Sequence, residues 1–140
     1  MEIRLFQHQN ALMFCPLNRR ALSLCCSAMA QALPAGIAFP SPVVEVHCVR
    51  DAMIAAANDR YMGCHGPTNV LSFPGGQGLA GVLLLSVDTL LREALLYGQE
   101  PREHCVRLLA HGMGHLLGYD HGSAMQALCE CMEDAALLCA

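Results

Sequence analysis

The sequence lacks tryptophan and lysine, and only 14% of its 140 residues are charged. Such scarcity of charge excludes a disordered chain, which needs charges that oppose collapse, and a coiled coil, which is rich in them. A long hydrophobic run is also missing, since the longest, over residues 78–87, falls far short of the about 20 residues that a membrane-spanning helix requires. Because 54% of the residues are hydrophobic, we expect residues 1–140 to form a single globular domain with no membrane partner.

The charged residues leave the chain acidic. Eight arginines face twelve Asp and Glu residues, which gives a formal net charge of −4 at pH 7. Proteins that hold nucleic acid by bulk electrostatics are usually basic. The balance therefore disfavours such binding in bulk and leaves a local arginine patch as the route to a phosphate partner.

Nine cysteines are present, and no two of them form a CxxC pair. Most lie in apolar stretches, where a free cysteine behaves as a small hydrophobic residue. We therefore expect reduced, mainly buried thiols in a cytoplasmic protein. A competing interpretation takes Arg19 and Arg20, followed by the apolar residues 21–32, as a signal peptide. A strand predicted ahead of the arginine pair favours an amphipathic helix instead.

Periodicity and capping residues predict a mixed order of strands and helices. We expect strands over 3–6, 43–49, 68–73 and 81–87, and helices over 17–33, 51–60, 88–97, 101–117 and 123–138. Asn18 and Asp51 are expected to cap their helices, and residues 61–67 are expected to form a loop. The predicted fold class is α+β, a small mixed β-sheet packed with helices, with a three-layer α/β/α domain as the alternative.

One stretch carries chemistry, residues 110–121, AHGMGHLLGYDH. On a helix, His111 and His115 project from one face, one turn apart. Gly118 is suited to end that helix in a left-handed conformation, after which His121 can approach the same ion from a loop. Three imidazoles without a fourth protein ligand are typical of a catalytic zinc site, in which the metal lowers the pKa of a bound water. The spacing therefore predicts a metal site on a C-terminal helix and the loop that follows it.

The same spacing, HxxxHxxGxxH, occurs in metzincin proteases. Those enzymes carry a glutamate directly after the first histidine as the general base. Gly112 holds that position here and has no side chain to move a proton. The sequence therefore disfavours peptide hydrolysis by the usual route.

A family resemblance rests on two motifs. HGMGHLLGYDH, residues 111–121, resembles the HGxLHLxGYDH pattern of the YbeY family of bacterial rRNA maturation factors. PTNVLSFP, residues 67–74, resembles the second motif of that family. The resemblance is strong over residues 58–121 and thin outside them.

This resemblance implies a zinc-dependent, single-strand-specific endoribonuclease that acts on the 3′ end of small-subunit rRNA and in ribosome quality control. His111, His115 and His121 would bind one Zn²⁺ per chain, and Asn69 and Ser72 would line the cleft and contact substrate. The implied partners are single-stranded RNA and the ribosomal small subunit or a protein associated with it, whereas DNA is not expected. Asp120 is expected either to orient an imidazole or to serve the turn alone.

The chain departs from the family pattern where a catalytic arginine is expected. Members of the family place an arginine after a tyrosine, five residues before the proline of the second motif, but here Met62 follows Tyr61. If the backbone were extended there, Arg60 would face the same side as position 62 and serve catalysis in its stead. Two alternatives stay open: a non-catalytic, zinc-containing ribosome-associated binding factor, and a metallohydrolase of another substrate class.

Overall fold

A four-stranded mixed sheet forms the centre of the molecule. The computed structural model describes residues 1–139. Its strands are β1 (Glu2–Gln7), β2 (Val43–Val49), β3 (Val70–Pro74) and β4 (Gly81–Ser86), in the order β1-β2-β4-β3. The pairs β1–β2 and β2–β4 are parallel, whereas β3 runs antiparallel to β4 at the edge. The predicted α+β class with a mixed sheet is therefore confirmed.

Five α-helices surround this sheet. They are α1 (Arg19–Gln31), α2 (Asp51–Met62), α3 (Val87–Leu96), α4 (Pro101–Leu116) and α5 (Ser123–Leu137). A short 3₁₀ turn, Ala11–Met13, follows β1 and has no counterpart in the sequence prediction. The predicted cap at Asn18 is confirmed, since its side chain accepts a hydrogen bond of 2.8 Å from the amide of Ala21.

Two predictions around α2 were wrong. The helix continues through Tyr61 and Met62 and ends at Gly63, which has φ +65°, so the expected loop begins later. Asp51 is the first helical residue and not the cap, because its carboxylate bonds to other groups. Its Oδ1 atom accepts hydrogen bonds from the hydroxyls of Ser86 (2.8 Å) and Thr89 (2.7 Å). Asp51 thus ties the first turn of α2 to that of α3.

The main core lies between one face of the sheet and the helices α1, α4 and α5. From the sheet, Val44, Val46, Leu83 and Leu85 enter this core fully buried. A smaller cluster on the opposite face joins Leu71 of β3 to Ile54 of α2. Burial of this many apolar side chains is the main stabilising term of a domain of this size. Because α4 packs over β3 and β4, the histidine-bearing helix has a rigid base.

Helices α4 and α5 approach closely at Gly114. A Cβ built there lies 3.1 Å from the Cε of Met125 and 3.5 Å from the Sγ of Cys129. The missing side chain is therefore replaced by the methionine of the neighbouring helix. Glycine inside a helix costs about 1 kcal/mol relative to alanine, and the contact with Met125 offsets part of that cost.

Within residues 1–139, no helix combines the length and the apolar character that crossing a bilayer demands.

Candidate metal centre

His111 and His115 lie one turn apart on the exposed side of α4. The helix begins with the side chain of Glu100 accepting a 2.9 Å hydrogen bond from the amide of Glu103, and Pro101 occupies the first turn. The Nε2 atoms of His111 and His115 are 3.1 Å apart, and the two rings are nearly perpendicular, at 85°. Both lone pairs therefore converge on one point beside the helix.

The end of α4 brings the third histidine to that point. Gly118 has φ +91°, its amide donates to the carbonyl of His115 (3.0 Å), and the amide of Tyr119 donates to that of Gly114 (3.2 Å). This hydrogen-bond pair is the Schellman motif, which reverses the chain at the end of a helix. The ring of His121 then lies 5.2 Å from that of His111. One nitrogen from each of the three histidines lies within 4.8 Å of the others, so the group can hold a metal ion.

A backbone carbonyl orients one of the imidazoles. The Nδ1 atom of His115 lies 3.0 Å from the carbonyl oxygen of Tyr119. A carbonyl oxygen only accepts hydrogen bonds, so Nδ1 carries the proton and Nε2 presents its lone pair to the metal position. Such partners fix the tautomer and the orientation of metal-binding histidines. Within residues 1–139, no side-chain hydrogen bond of Asp120 contributes to this arrangement.

The pKa of His111 also favours the form that binds metal. Burial lowers the pKa of His111 below its usual value, and the neighbouring His115 and His121 lower it further. At neutral pH the imidazole is therefore neutral, which is the state that coordinates a metal ion.

A cleft of about 480 Å³ opens between the histidines and β3, and we call it the β3 cleft. Its lining consists of the three histidines, Met62, Pro74 and residues 68–72. Both residues that the resemblance assigned to substrate, Asn69 and Ser72, lie along it, although Asn69 precedes the first residue of β3. Beyond the histidines, the lining of the β3 cleft carries no charged side chain.

Asn69 and Ser72 use their polar groups within the protein. The hydroxyl of Ser72 donates to the carbonyl of Gly112 at 3.1 Å and so joins β3 to α4 beside the histidines. The amide nitrogen of Asn69 donates to both carboxylate oxygens of Glu93, at 3.1 and 3.3 Å. These two residues therefore fix the wall of the β3 cleft relative to the helices.

Gly112 faces the sheet. A Cβ built on it lies 3.0 Å from the Cδ2 of Leu83 and 3.3 Å from the Cγ2 of Val70. A side chain at this position would enter the packed interface between α4 and the strands. The position after the first histidine is therefore closed to a general base of the metzincin kind.

The extended backbone on which the Arg60 hypothesis depended is absent. Arg60 lies in the last turn of α2, where neighbours two positions apart point in different directions. Its guanidinium carbon lies 5.4 Å from the ring centroid of Tyr61, and Arg60 lines neither cavity beside the histidines. Met62 lines the β3 cleft instead. A catalytic role of Arg60 stays a prediction without this geometric support.

A second cavity, of about 410 Å³, borders the histidines on the side of α5, and we call it the α5 cavity. It is shared by His111 and His121 and by Arg107, Glu130 and Glu133, with Met125 and Cys129 on its wall. Burial raises the pKa of Glu133, and the positive charge of Arg107 opposes that effect. Sequence reasoning missed Arg107, although its spacing of four residues before His111 places both on one helix face.

The fold and the histidine cluster together define a candidate metal-binding domain of the α+β class. A model of the family described as Endoribonuclease YbeY matches residues 16–136, most of the chain. The chain belongs to the YbeY family.

Individual relatives agree with this assignment. Endoribonuclease YbeY of Nitratidesulfovibrio vulgaris is 49% identical over 116 residues, covering 67% of this chain and 72% of that protein. Endoribonuclease YbeY of Oleidesulfovibrio alaskensis is 36% identical over 146 residues, covering 86% and 84%. A Thermotoga maritima protein whose structure was solved in solution has the same fold, with a TM-score of 0.66 at 18% identity, over 96% of this chain and 88% of that one.

Proposed function

We propose that this chain is a zinc-dependent endoribonuclease that cleaves single-stranded RNA and acts in maturation of the 3′ end of small-subunit rRNA and in ribosome quality control. The observation that carries the proposal is the convergence of His111, His115 and His121 at the border of two cavities, in a member of the YbeY family. The curated relatives bear the name of this activity.

The donor set fits zinc. Three imidazole nitrogens suit this ion, and three protein ligands leave a coordination position open, as in catalytic zinc sites. The hydrogen bond from Nδ1 of His115 to Tyr119 leaves Nε2 ready to coordinate without a change of tautomer. His111, His115 and His121 would therefore hold one Zn²⁺ per chain.

Zinc, when bound, supplies a Lewis acid that activates an attacking oxygen and offsets the charge that develops on a phosphodiester. The protein supplies the orientation of the site. Ser72, bonded to the carbonyl of Gly112, holds the strand wall at a fixed distance from the histidine helix. His111 and His121 line both the β3 cleft and the α5 cavity, so an RNA strand bound in either one would lie beside the centre.

Cleavage of a labelled single-stranded RNA tests the proposal. Zinc-loaded parent protein is compared with His115→Ala and with the control variant His65→Ala, which removes a highly exposed histidine outside the site. We expect cleavage by the parent and by His65→Ala, and a loss of about 1,000-fold or more in His115→Ala, as for other essential catalytic groups. Zinc content, measured for each protein, must fall only in His115→Ala.

Two further substrates define the selectivity. We expect the parent to leave double-stranded RNA and single-stranded DNA intact under the same conditions. Cleavage of either at the rate of single-stranded RNA would contradict the proposed selectivity. A precursor of small-subunit rRNA, mapped by primer extension, should be cut near its 3′ end in preference to an unrelated transcript of equal length.

A binding factor that uses zinc for structure is the second candidate. Met62 favours it, because this apolar side chain lines the β3 cleft and cannot pair with phosphate oxygens. Zinc bound at one equivalent without any RNA cleavage would select this alternative. A peptidase is disfavoured, because Gly112 faces Leu83 and the sheet. A casein assay should therefore show no hydrolysis by the zinc-loaded protein.

The remaining parts of the proposal concern partners and location. The formal net charge of −4 favours recruitment to RNA by the ribosomal small subunit or an associated protein in the cytoplasm. Sedimentation with purified small subunits should therefore exceed sedimentation with bare rRNA. Equal binding to bare rRNA, with a steep dependence on salt, would contradict recruitment by a protein.

A further inference from the structure

A cationic side chain that holds the RNA backbone would act beside the zinc ion, and the β3 cleft does not provide one. Beyond the histidines, that cleft is lined by neutral side chains, including Met62. Backbone phosphates are held most effectively by guanidinium groups, which pair with two oxygens at once. A guanidinium beside the histidines is found on their other side, in the α5 cavity.

Arg107 lies on that side. It precedes His111 by one helical turn on the same face of α4, and it lines the α5 cavity together with His111 and His121. Among residues 1–139, it is the arginine that borders a cavity containing these histidines.

Two other arginines beside the sheet are paired with carboxylates of the protein. Arg50 donates to the carboxylate of Asp88 at 2.8 Å, and Arg92 donates to that of Asp51 at 3.1 Å. Their guanidinium groups hold the first turns of α2 and α3 together. Neither Arg50 nor Arg92 lines a cavity beside the histidines, whereas Arg107 does.

One edge of the Arg107 guanidinium is anchored. Its NH1 group donates to the side-chain oxygen of Gln99 at 2.9 Å and lies 3.3 Å from the Nδ1 of His104. His104 is only 5% exposed, and its Nε2 lies 3.0 Å from the carboxylate of Glu93. The buried His104 thus fixes NH1 from behind, so the guanidinium keeps its position before substrate arrives, which reduces the entropy lost on binding.

We propose that Arg107 binds a backbone phosphate of the RNA strand in the α5 cavity, beside the three-histidine centre. This inference rests on the proposed function, because it names the residue that holds the substrate of that site. Glu130 and Glu133 form the opposite wall of the cavity. The positive charge of Arg107 acts on Glu133 across this cavity, so the guanidinium lies within electrostatic reach of its far wall.

The test measures binding of a single-stranded RNA oligomer with 2′-O-methyl groups, which resists cleavage, to zinc-loaded protein at several salt concentrations. The variant is Arg107→Gln, and the matched control is Arg102→Gln, another exposed arginine of α4 that lines neither cavity. Loss of one phosphate contact should reduce the slope of log affinity against log salt by about 0.7. Affinity at low salt should fall about tenfold or more, as for a lost hydrogen bond to a charged group.

A purely structural role of Arg107 would leave the salt slope unchanged. Arg107→Lys keeps the charge and should restore most of the slope. Gln99→Ala removes one of the two contacts that anchor NH1, so it should keep the slope and weaken affinity only slightly. Thermal unfolding and zinc content identify a misfolded variant, and Arg107→Lys then decides the question. An unchanged slope in Arg107→Gln, with parental affinity, overturns the inference.

Cleavage of unmodified RNA separates this inference from the proposed function. If the parent binds the oligomer through Arg107 but does not cut RNA, the phosphate contact stands and the endoribonuclease proposal fails. If the parent cuts RNA and Arg107→Gln cuts it at the same kcat/KM, the inference about Arg107 fails alone. If the parent neither binds nor cuts single-stranded RNA, both are overturned.

Discussion

The side-chain amide of Asn69 donates to the carboxylate of Glu93, and the same carboxylate lies 3.0 Å from the buried His104. This relationship connects the rim of the β3 cleft to the interior of the molecule. His104 also contacts Arg107. A continuous series of side-chain contacts therefore connects the β3 cleft with the α5 cavity. Asn69, Glu93, His104 and Arg107 therefore connect the two walls of the candidate site through side-chain contacts.

Removing the carboxylate of Glu93, which joins Asn69 to His104, should destabilise the fold. Glu93→Ala leaves His104 buried without its partner, and an unpaired buried group costs about 1–3 kcal/mol. The free energy of unfolding, measured in urea, should fall by that amount. The exposed Asp134→Ala serves as control and should change it by no more than about 0.5 kcal/mol. Equal effects of the two substitutions would show that the contacts of Glu93 contribute nothing to stability.

Metal removal should lower stability through the three histidines. A ligand that binds only the folded state at 100 times its Kd adds about 2.7 kcal/mol to the free energy of unfolding. Zinc should therefore raise the Tm of the parent protein, and a chelator should reverse the rise. His121→Ala should lose most of this response, whereas His65→Ala should keep it. A zinc-induced rise that survives in His121→Ala would exclude that residue as a ligand.

Acid should break the hydrogen bonds by which the carboxylate of Asp51 joins α2 to α3. Burial raises the pKa of Asp51, but the hydrogen bonds from Thr89, Ser86 and Arg92 outweigh it and bring the pKa below its ordinary value of 3.8. Because the folded-state pKa is depressed, the stabilisation is present above the unfolded value and disappears as the pH falls through the folded value. Asp51→Asn should therefore cost about 1–3 kcal/mol at pH 7. That difference should vanish in strong acid, and urea unfolding at both pH values checks it.

Thiol reactivity should follow burial and hydrogen bonding. The exposed Cys64 and Cys139 should react with iodoacetamide in the native protein at pH 8. Burial raises the pKa of Cys26 to about 12, so this thiol should react only after unfolding. The neighbouring thiols of Cys105 and Cys48 lower the pKa of Cys15 below its usual value.

The half-buried Cys15 should therefore be labelled at pH 6 before Cys64, although it is less exposed. Peptide mass spectrometry after timed labelling measures each site. Labelling of Cys64 first at pH 6, with Cys15 unmodified, would contradict the lowered pKa of Cys15.

Local signals in the sequence predicted much of the architecture. Asn18 caps α1 because its side-chain oxygen accepts a hydrogen bond from a free amide of the first turn. Gly118 ends α4 because glycine adopts the left-handed conformation without steric cost. The spacing of His111 and His115 was sufficient to predict that their rings meet, since one helical turn brings them to the same face.

Long-range relations were harder to predict. The insertion of β4 between β2 and β3 depends on which surfaces pack best, and no local pattern encodes that order. The end of α2 was misplaced because Gly63, Gly66 and Pro67 predicted a loop that begins at residue 61, whereas the helix continues until Gly63 itself ends it. The tether from His115 to the carbonyl of Tyr119 involves a backbone atom, which side-chain motifs do not show.

The contact between Gly114 and Met125 links the residue choices at positions 114 and 125. The pattern HGxLHLxGYDH, which residues 111–121 resemble, has leucine at the position of Gly114, and here Met125 fills the space beside that position. The two positions are therefore expected to covary, each residue being tolerated only in the company of the other. A chimera that imports the last helix from a relative should inherit position 114 from the same parent.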